Sequence, residues 1–142
     1  MIALGSDHAG YEMKLVLAKH LEERGYEVKD FGTYSTESCD YPEFAKAVAA
    51  SVVSGEAERG VLVCGTGIGM SMAANKVKGI RAAVVTEEFS AQATREHNDA
   101  NVLCLGARVL DNEKAIKLLD IFMDTPFSEG VNHVRRISKL EQ

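Results

Sequence analysis

The sequence contains no tryptophan, two prolines and three cysteines in 142 residues, and no apolar run near the roughly 20 residues that a membrane-spanning helix needs. Each shortage excludes something. Without a long apolar stretch no bilayer span is expected. The opening Met1-Ile2-Ala3-Leu4-Gly5, which lacks a basic flank and a cleavable apolar core, gives no expectation of export. Cys39, Cys64 and Cys104 are odd in number and have no C-x-x-C spacing, so neither a disulfide framework nor a zinc ribbon is supported. The cytoplasm is the expected compartment. Basic residues are also in deficit, 16 against 21 acidic ones for a net charge of −5, which leaves no concentrated Lys/Arg face for a nucleic-acid backbone.

What remains is an ordinary globular composition, 46% hydrophobic and 26% charged, at a length that suits one domain over residues 1–142. Short apolar runs alternate with helical periodicity. Strands are expected at Ile2–Gly5, Glu27–Phe31, Gly60–Cys64, Ile80–Val85 and Val102–Leu105. Helices are expected from about Met13 to Gly25, Pro42 to Gly55, Ile68 onward, Glu87 to His97, Asn112 to Met123 and Val131 to Leu140. Five strands with intervening helices imply an α/β fold: a three-layer α/β/α sandwich around a doubly wound, Rossmann-like parallel sheet, closed by a C-terminal helix. Ligands in such folds bind beyond the carboxyl ends of the strands, which directs attention to Ser6–Gly10, Cys64–Gly69, Thr86–Glu88 and Gly106–Arg108.

The turn Cys64-Gly65-Thr66-Gly67-Ile68-Gly69 can converge main-chain N–H groups at a helix start, an anion-binding arrangement. It is not a dinucleotide fingerprint, because Met70 stands where the third glycine belongs, and it lacks the Gly-Lys-Ser/Thr ending of a Walker loop. Glu87, at a plausible ribose-binding separation, keeps a nucleotide- or metabolite-binding module as an alternative. Cys64 at a helix N-terminus sits where a thiolate is favoured, whereas Cys104 reads as core and Cys39 as an incidental loop residue. His8 lies on the ligand edge and His97 ends a helix; His20 and His133 read as ordinary helical residues. Three scattered candidate ligands, Cys64, His8 and His97, make a metal site improbable on spacing alone.

Seven stretches taken in order carry a resemblance over nearly the whole chain: Gly5-Ser6-Asp7-His8-Ala9-Gly10, Asp40-Tyr41-Pro42, Cys64 to Gly69, Ala73-Ala74-Asn75-Lys76, Gly79-Ile80-Arg81-Ala82, His97-Asn98-Asp99-Ala100-Asn101 and Gly106-Ala107-Arg108-Val109. Together they resemble the type B ribose-5-phosphate isomerases, a family shared with galactose-6-phosphate isomerase subunits. The resemblance implies a phosphosugar substrate, no metal or organic cofactor, and interconversion of ribose 5-phosphate and ribulose 5-phosphate in the non-oxidative pentose phosphate pathway. A six-carbon phosphosugar such as allose or galactose 6-phosphate is the alternative substrate. Carried over by position, Cys64 is the base at C2, His97 opens the sugar ring, and Thr66 assists proton movement. The N–H groups of Gly65, Thr66, Gly67, Ile68 and Gly69 stabilise the enediolate, and Asp7, His8 and Asn98 hold hydroxyl or phosphate groups. The family tail Arg-His-x-x-Arg becomes Asn132-His133-Val134-Arg135-Arg136, so Asn132 replaces one phosphate arginine and the charge falls to Arg136 with His8 and Arg108. The resemblance further implies a homodimer, paired into a tetramer in some members, in which the His97–Asn98 and Arg108 regions face the partner's Cys64 loop.

Overall fold

The computed structural model describes residues 1–142 and alternates strands with helices almost without interruption. In chain order these are β1 (Ile2–Ser6), α1 (Tyr11–Glu23), β2 (Val28–Asp30), α2 (Tyr41–Val53), β3 (Arg59–Cys64), α3 (Ile68–Ala74), β4 (Ala82–Val84), α4 (Glu88–Glu96), β5 (Val102–Gly106), α5 (Asn112–Asp124) and α6 (Val131–Leu140). Helix starts follow local chemistry. The Asp111 carboxylate accepts from the Lys114 N–H at 2.7 Å and the Glu87 carboxylate from the Ser90 N–H at 2.9 Å, each satisfying a donor left unpaired by helix geometry. Pro42 stands in the first turn of α2, where a missing N–H costs nothing.

All pairings are parallel, in the order β2-β1-β3-β5-β4. Right-handed crossovers then send α1, α4 and α5 to one face and α2 and α3 to the other. Two buried clusters match that division. Ile2 and Leu4 of β1 pack with Leu17, Leu21, Leu118 and Phe122 on the first face, while the intervening Ala3 packs with Val48, Met70 and Cys64 on the second. The doubly wound sandwich expected from the strand and helix alternation is the fold that forms. No helix is long and apolar enough to cross a membrane.

Strand boundaries differ from expectation mainly at the sheet edges. The fourth strand shrinks from Ile80–Val85 to three residues because Asn101 Oδ1 takes the Arg81 N–H at 2.8 Å and Ile80 closes a turn onto the Val77 carbonyl at 3.1 Å. The exposed side of β4 is not left open. Asn75 at the end of α3 accepts from the Ala82 N–H at 2.8 Å and donates to the Ala82 carbonyl at 3.0 Å, imitating a further strand and blocking edge-to-edge pairing. With two hydrogen bonds lost at about 0.5–1.5 kcal/mol each, Asn75→Ala is expected to lower the unfolding free energy by about 1–3 kcal/mol in urea titration. A loss below a few tenths would show that the mimicry contributes nothing to stability.

Candidate functional site

At the carboxyl edge of the sheet, the loops after β1, β3 and β5 meet. Cys64 ends β3 and is 5% exposed; its Sγ accepts the Gly67 N–H at 3.1 Å. Gly67 turns the chain with φ +80°, a conformation few other residues adopt, and a side chain there would come within 3.0 Å of the Leu105 main chain. The Ile68 N–H is taken by Thr66 Oγ1 at 3.2 Å. Two of the five expected oxyanion donors are therefore engaged inside the loop, leaving the N–H groups of Gly65, Thr66 and Gly69 for an incoming oxygen. The loop is pinned from β5: Ala107 N–H donates to the Cys64 carbonyl at 2.8 Å and Arg108 N–H to the Gly65 carbonyl at 2.9 Å. Beside it, Asp7 is buried, accepts the Gly10 N–H at 3.0 Å and donates its own N–H to Val63 at 3.2 Å. His8 Nδ1 accepts the Cys39 N–H at 3.3 Å, so a neutral His8 carries its proton on Nε2 and presents a donor.

The remaining sequence-predicted residues lie elsewhere. A helix following a parallel strand runs back along the sheet, so α4 delivers His97 and Asn98 to the amino edge, just before β5. The register makes the separation explicit: Asn101 accepts from Gly60 N–H at 2.9 Å, Gly60 pairs with Val102, and Cys64 stands four residues further along β3, about 13 Å away along the strand. The faces differ as well, since Cys64 belongs to the cluster under α2 and α3 while α4 covers the other side. Helix α6 also sits at the amino edge, tied by Ser128 to the Glu96 carbonyl at 2.7 Å and by Glu141 to Arg81 at 2.8 Å. It carries Asn132 and Arg136, and its His133 ring stacks on that of His97 with centroids 4.4 Å apart. Within one chain the candidate residues thus fall into two groups: Asp7, His8, Cys64 to Gly69 and Arg108 at one edge, and His97, Asn98, Asn132 and Arg136 at the other.

Comparison with known proteins bears on this arrangement. The family model described as Ribose/Galactose Isomerase matches residues 2–140. The chain belongs to the ribose/galactose isomerase family. It is 48% identical over 139 residues to the Escherichia coli protein named ribose-5-phosphate isomerase B, covering 98% of this chain and 93% of that one. It is 44% identical to a Listeria innocua protein named ribose-5-P isomerase B, with 91% and 87% covered. Among solved structures, ribose-5-phosphate isomerase B of Clostridium thermocellum superposes with a TM-score of 0.97 at 51% identity, covering 99% of this chain and 94% of that one. The Mycoplasma genitalium ribose-5-phosphate isomerase B with bound ribulose-5-phosphate superposes at 0.94 and 42% identity, covering 99% and 93%.

Four residues of this family member are placed differently from the sequence reading. Arg108 lies against the Cys64 loop of its own chain, since a side chain at Gly65 would meet its Cδ and Nη1 at 3.4 Å, a neighbour the sequence did not signal. Cys39 is not incidental, since both its N–H and its Sγ, at 3.9 Å, address His8. Glu87 caps α4, its carboxylate accepting the Ser90 N–H, a local structural role that the sequence reading did not give it. Tyr41, which had no role, lies over the Cys64 loop, where a side chain at Gly69 would come within 2.7 Å of its ring; its place between the carboxyl-edge loop and Pro42 was the available signal. Cys104 keeps its core reading, and burial, with a smaller contribution from nearby Cys64, pushes its thiol well above the usual range. Iodoacetamide at neutral pH is therefore expected to modify half-buried Cys39 and spare Cys104, with urea abolishing the difference in peptide mass analysis; rapid native modification of Cys104 would contradict its placement.

Proposed function

We propose that this chain interconverts D-ribose 5-phosphate and D-ribulose 5-phosphate at a site made from two copies of itself. The observation that carries the reading is the division of the catalytic set: Cys64 and His97 lie at opposite edges and on opposite faces of one sheet, so a single chain cannot present both to one sugar. Two copies in suitable symmetry can. Exposed apolar side chains flank each half-site, with Ile68 and Met72 on α3 beside the Cys64 loop and Val131 and Val134 on α6 beside His97. Pairing would cover both groups. A cavity of about 550 Å³, lined by Asn75, Lys78, Arg81, Asn98 and Leu140, gives a partner's loop room to enter beside Asn98.

The chemistry then needs only proton transfers. His97 moves protons between the anomeric hydroxyl and the ring oxygen as the furanose opens, with Thr66 assisting. The Cys64 thiolate removes the proton from C2 of the open aldose. The electron pair passes through C1 to the carbonyl oxygen, giving an enediolate, and the N–H groups of Gly65, Thr66 and Gly69 stabilise the charge that develops there. Return of a proton to C1, with transfer of the hydroxyl proton from O2 to O1, yields the ketose. C1 is reduced as C2 is oxidised, so no external electron carrier enters the balance. Asp7, His8 and Asn98 hold hydroxyl or phosphate groups, and Arg136, with Asn132, His8 and Arg108, addresses the phosphate.

Purified, chelator-treated protein is expected to form ribulose 5-phosphate from ribose 5-phosphate faster than it turns over allose or galactose 6-phosphate; preference for a six-carbon sugar would reassign the substrate. Cys64→Ala should lower kcat about 10²–10⁴-fold with the fold intact by circular dichroism. Mixing Cys64→Ala with His97→Asn and allowing subunit exchange should restore activity, because one of the two sites in a mixed dimer carries both native residues. Mixed dimers seen by native mass spectrometry without activity would sink the shared site. For the tail, Arg136→Ala should raise KM and weaken inhibition by inorganic phosphate about ten-fold, since a charge-assisted hydrogen bond contributes roughly 1.5–3 kcal/mol and acts far from the reacting carbons. If neither quantity moves, Arg136 does not hold the phosphate.

A further inference from the structure

His97 stands just past the last turn of α4, is exposed, and makes no side-chain hydrogen bond within the chain. A histidine in that situation swings about two side-chain torsions, yet a group that moves protons to and from a sugar ring must be held to within about 10–20° of its working orientation. The ring is met by His133, whose imidazole stacks on it at 4.4 Å with 13° between the planes. His133 is itself confined. It sits in the first turn of α6, whose approach is set by Ser128, whose N–H and hydroxyl both donate to the Glu96 carbonyl at 3.3 and 2.7 Å, one residue before His97. Gly130 adjoins the ring: a side chain there would come within 3.0 Å of His133 Cδ2, so the absence of one leaves space for the imidazole.

We propose that His133 is a positioning residue for the ring-opening step: its imidazole is the flat surface that fixes the plane of His97, and it acts through shape rather than through its nitrogens. This rests on the role given to His97 above. It also links two functions at the amino edge, because His133 lies on the same helix as Asn132 and Arg136. A phosphate drawn to α6 steadies the helix that holds the ring-opening group, so binding of the remote phosphate is converted into orientation at the reacting end of the sugar.

The test compares His133→Ala, which removes the surface, with His133→Phe, which keeps a flat ring and discards the nitrogens. Nuclear Overhauser contacts between the ring protons of residues 97 and 133 are expected in the native protein and in His133→Phe, which shows the stack in solution independently of any activity. In turnover of ribose 5-phosphate, His133→Ala is expected to lose about ten-fold or more in kcat with KM changed less than three-fold, and His133→Phe to stay within about three-fold of native in both. Native kcat in His133→Ala would overturn the proposal, as would loss in His133→Phe equal to that in His133→Ala, because the nitrogens would then act on the substrate directly. Missing ring contacts in the native protein would overturn it even where both variants lose activity. Should His133→Ala alone prove unstable, the native ring contacts and His133→Phe kinetics still decide. Failure of the isomerase reading itself is seen separately, as absence of turnover in the native protein while the ring contacts persist.

Discussion

A helix that connects two parallel strands must return the chain to the edge from which the first strand set out, and the functional geometry of this protein depends on that requirement. Glu88 begins α4 after β4, and Glu96 ends it next to the start of β5. His97 is carried away from the carboxyl edge where Cys64 waits. The right-handed crossover adds a second separation by setting α4 on the face opposite the cluster that contains Cys64. One chain therefore holds Cys64 and His97 apart, and the proposed isomerase chemistry calls for a second copy to bring them together.

Around the Cys64 loop, rigidity comes from main-chain hydrogen bonds rather than from side-chain networks. The Cys64 loop borrows two N–H donors from the residues after β5, and its tight turn is possible because Gly67 and Gly106 let main chain approach main chain: a side chain at Gly106 would meet Thr66 at 2.7 Å. Behind the neighbouring loop, the buried ammonium of Lys14 reaches Asp30 at 2.8 Å and the Thr33 carbonyl, anchoring the start of the connection whose far end, Cys39, holds His8. A buried ion pair is weak evidence for net stability, because desolvation offsets much of the attraction, but it restricts where the loop can lie. The turn at the amino edge is held differently. Arg81 donates to the main-chain carbonyls of Asn98 and Asp99, and Arg95 to the Asp99 carboxylate, so the turn carrying His97 and Asn98 is clamped while the His97 ring itself depends on His133.

The chain order of strands and helices, the glycine turn after β3, the unsuitability of that turn for a dinucleotide and the family membership were all legible in the residues. These features are local: apolar periodicity, a glycine at a defined offset and the caps of helices each involve neighbours in sequence. The edges of the sheet were less so. Ile80 and Arg81 belong to an apolar, β-rich stretch, and only the side chain of Asn101, 20 residues from Arg81, takes the N–H that would have lengthened the strand. Cys39 and His133 were given bland readings for the same reason. Nothing within several residues of either one signals a functional neighbour, since His8 is 31 residues from Cys39 and His97 is 36 from His133.

By itself the sequence determined which residues have suitable chemistry: a thiol at a strand end, histidines at loop and helix ends, a tail in which Asn132 stands for an arginine. Only the tertiary structure decided which of them share a site. It placed Arg108 with its own Cys64 loop, turned Glu87 into a helix cap, stacked His133 on His97 and put Cys64 and His97 at opposite edges of one sheet. The physical reason is that chemical type is a property of one residue, whereas proximity comes from strand order and crossover direction, which are settled when the whole sheet packs.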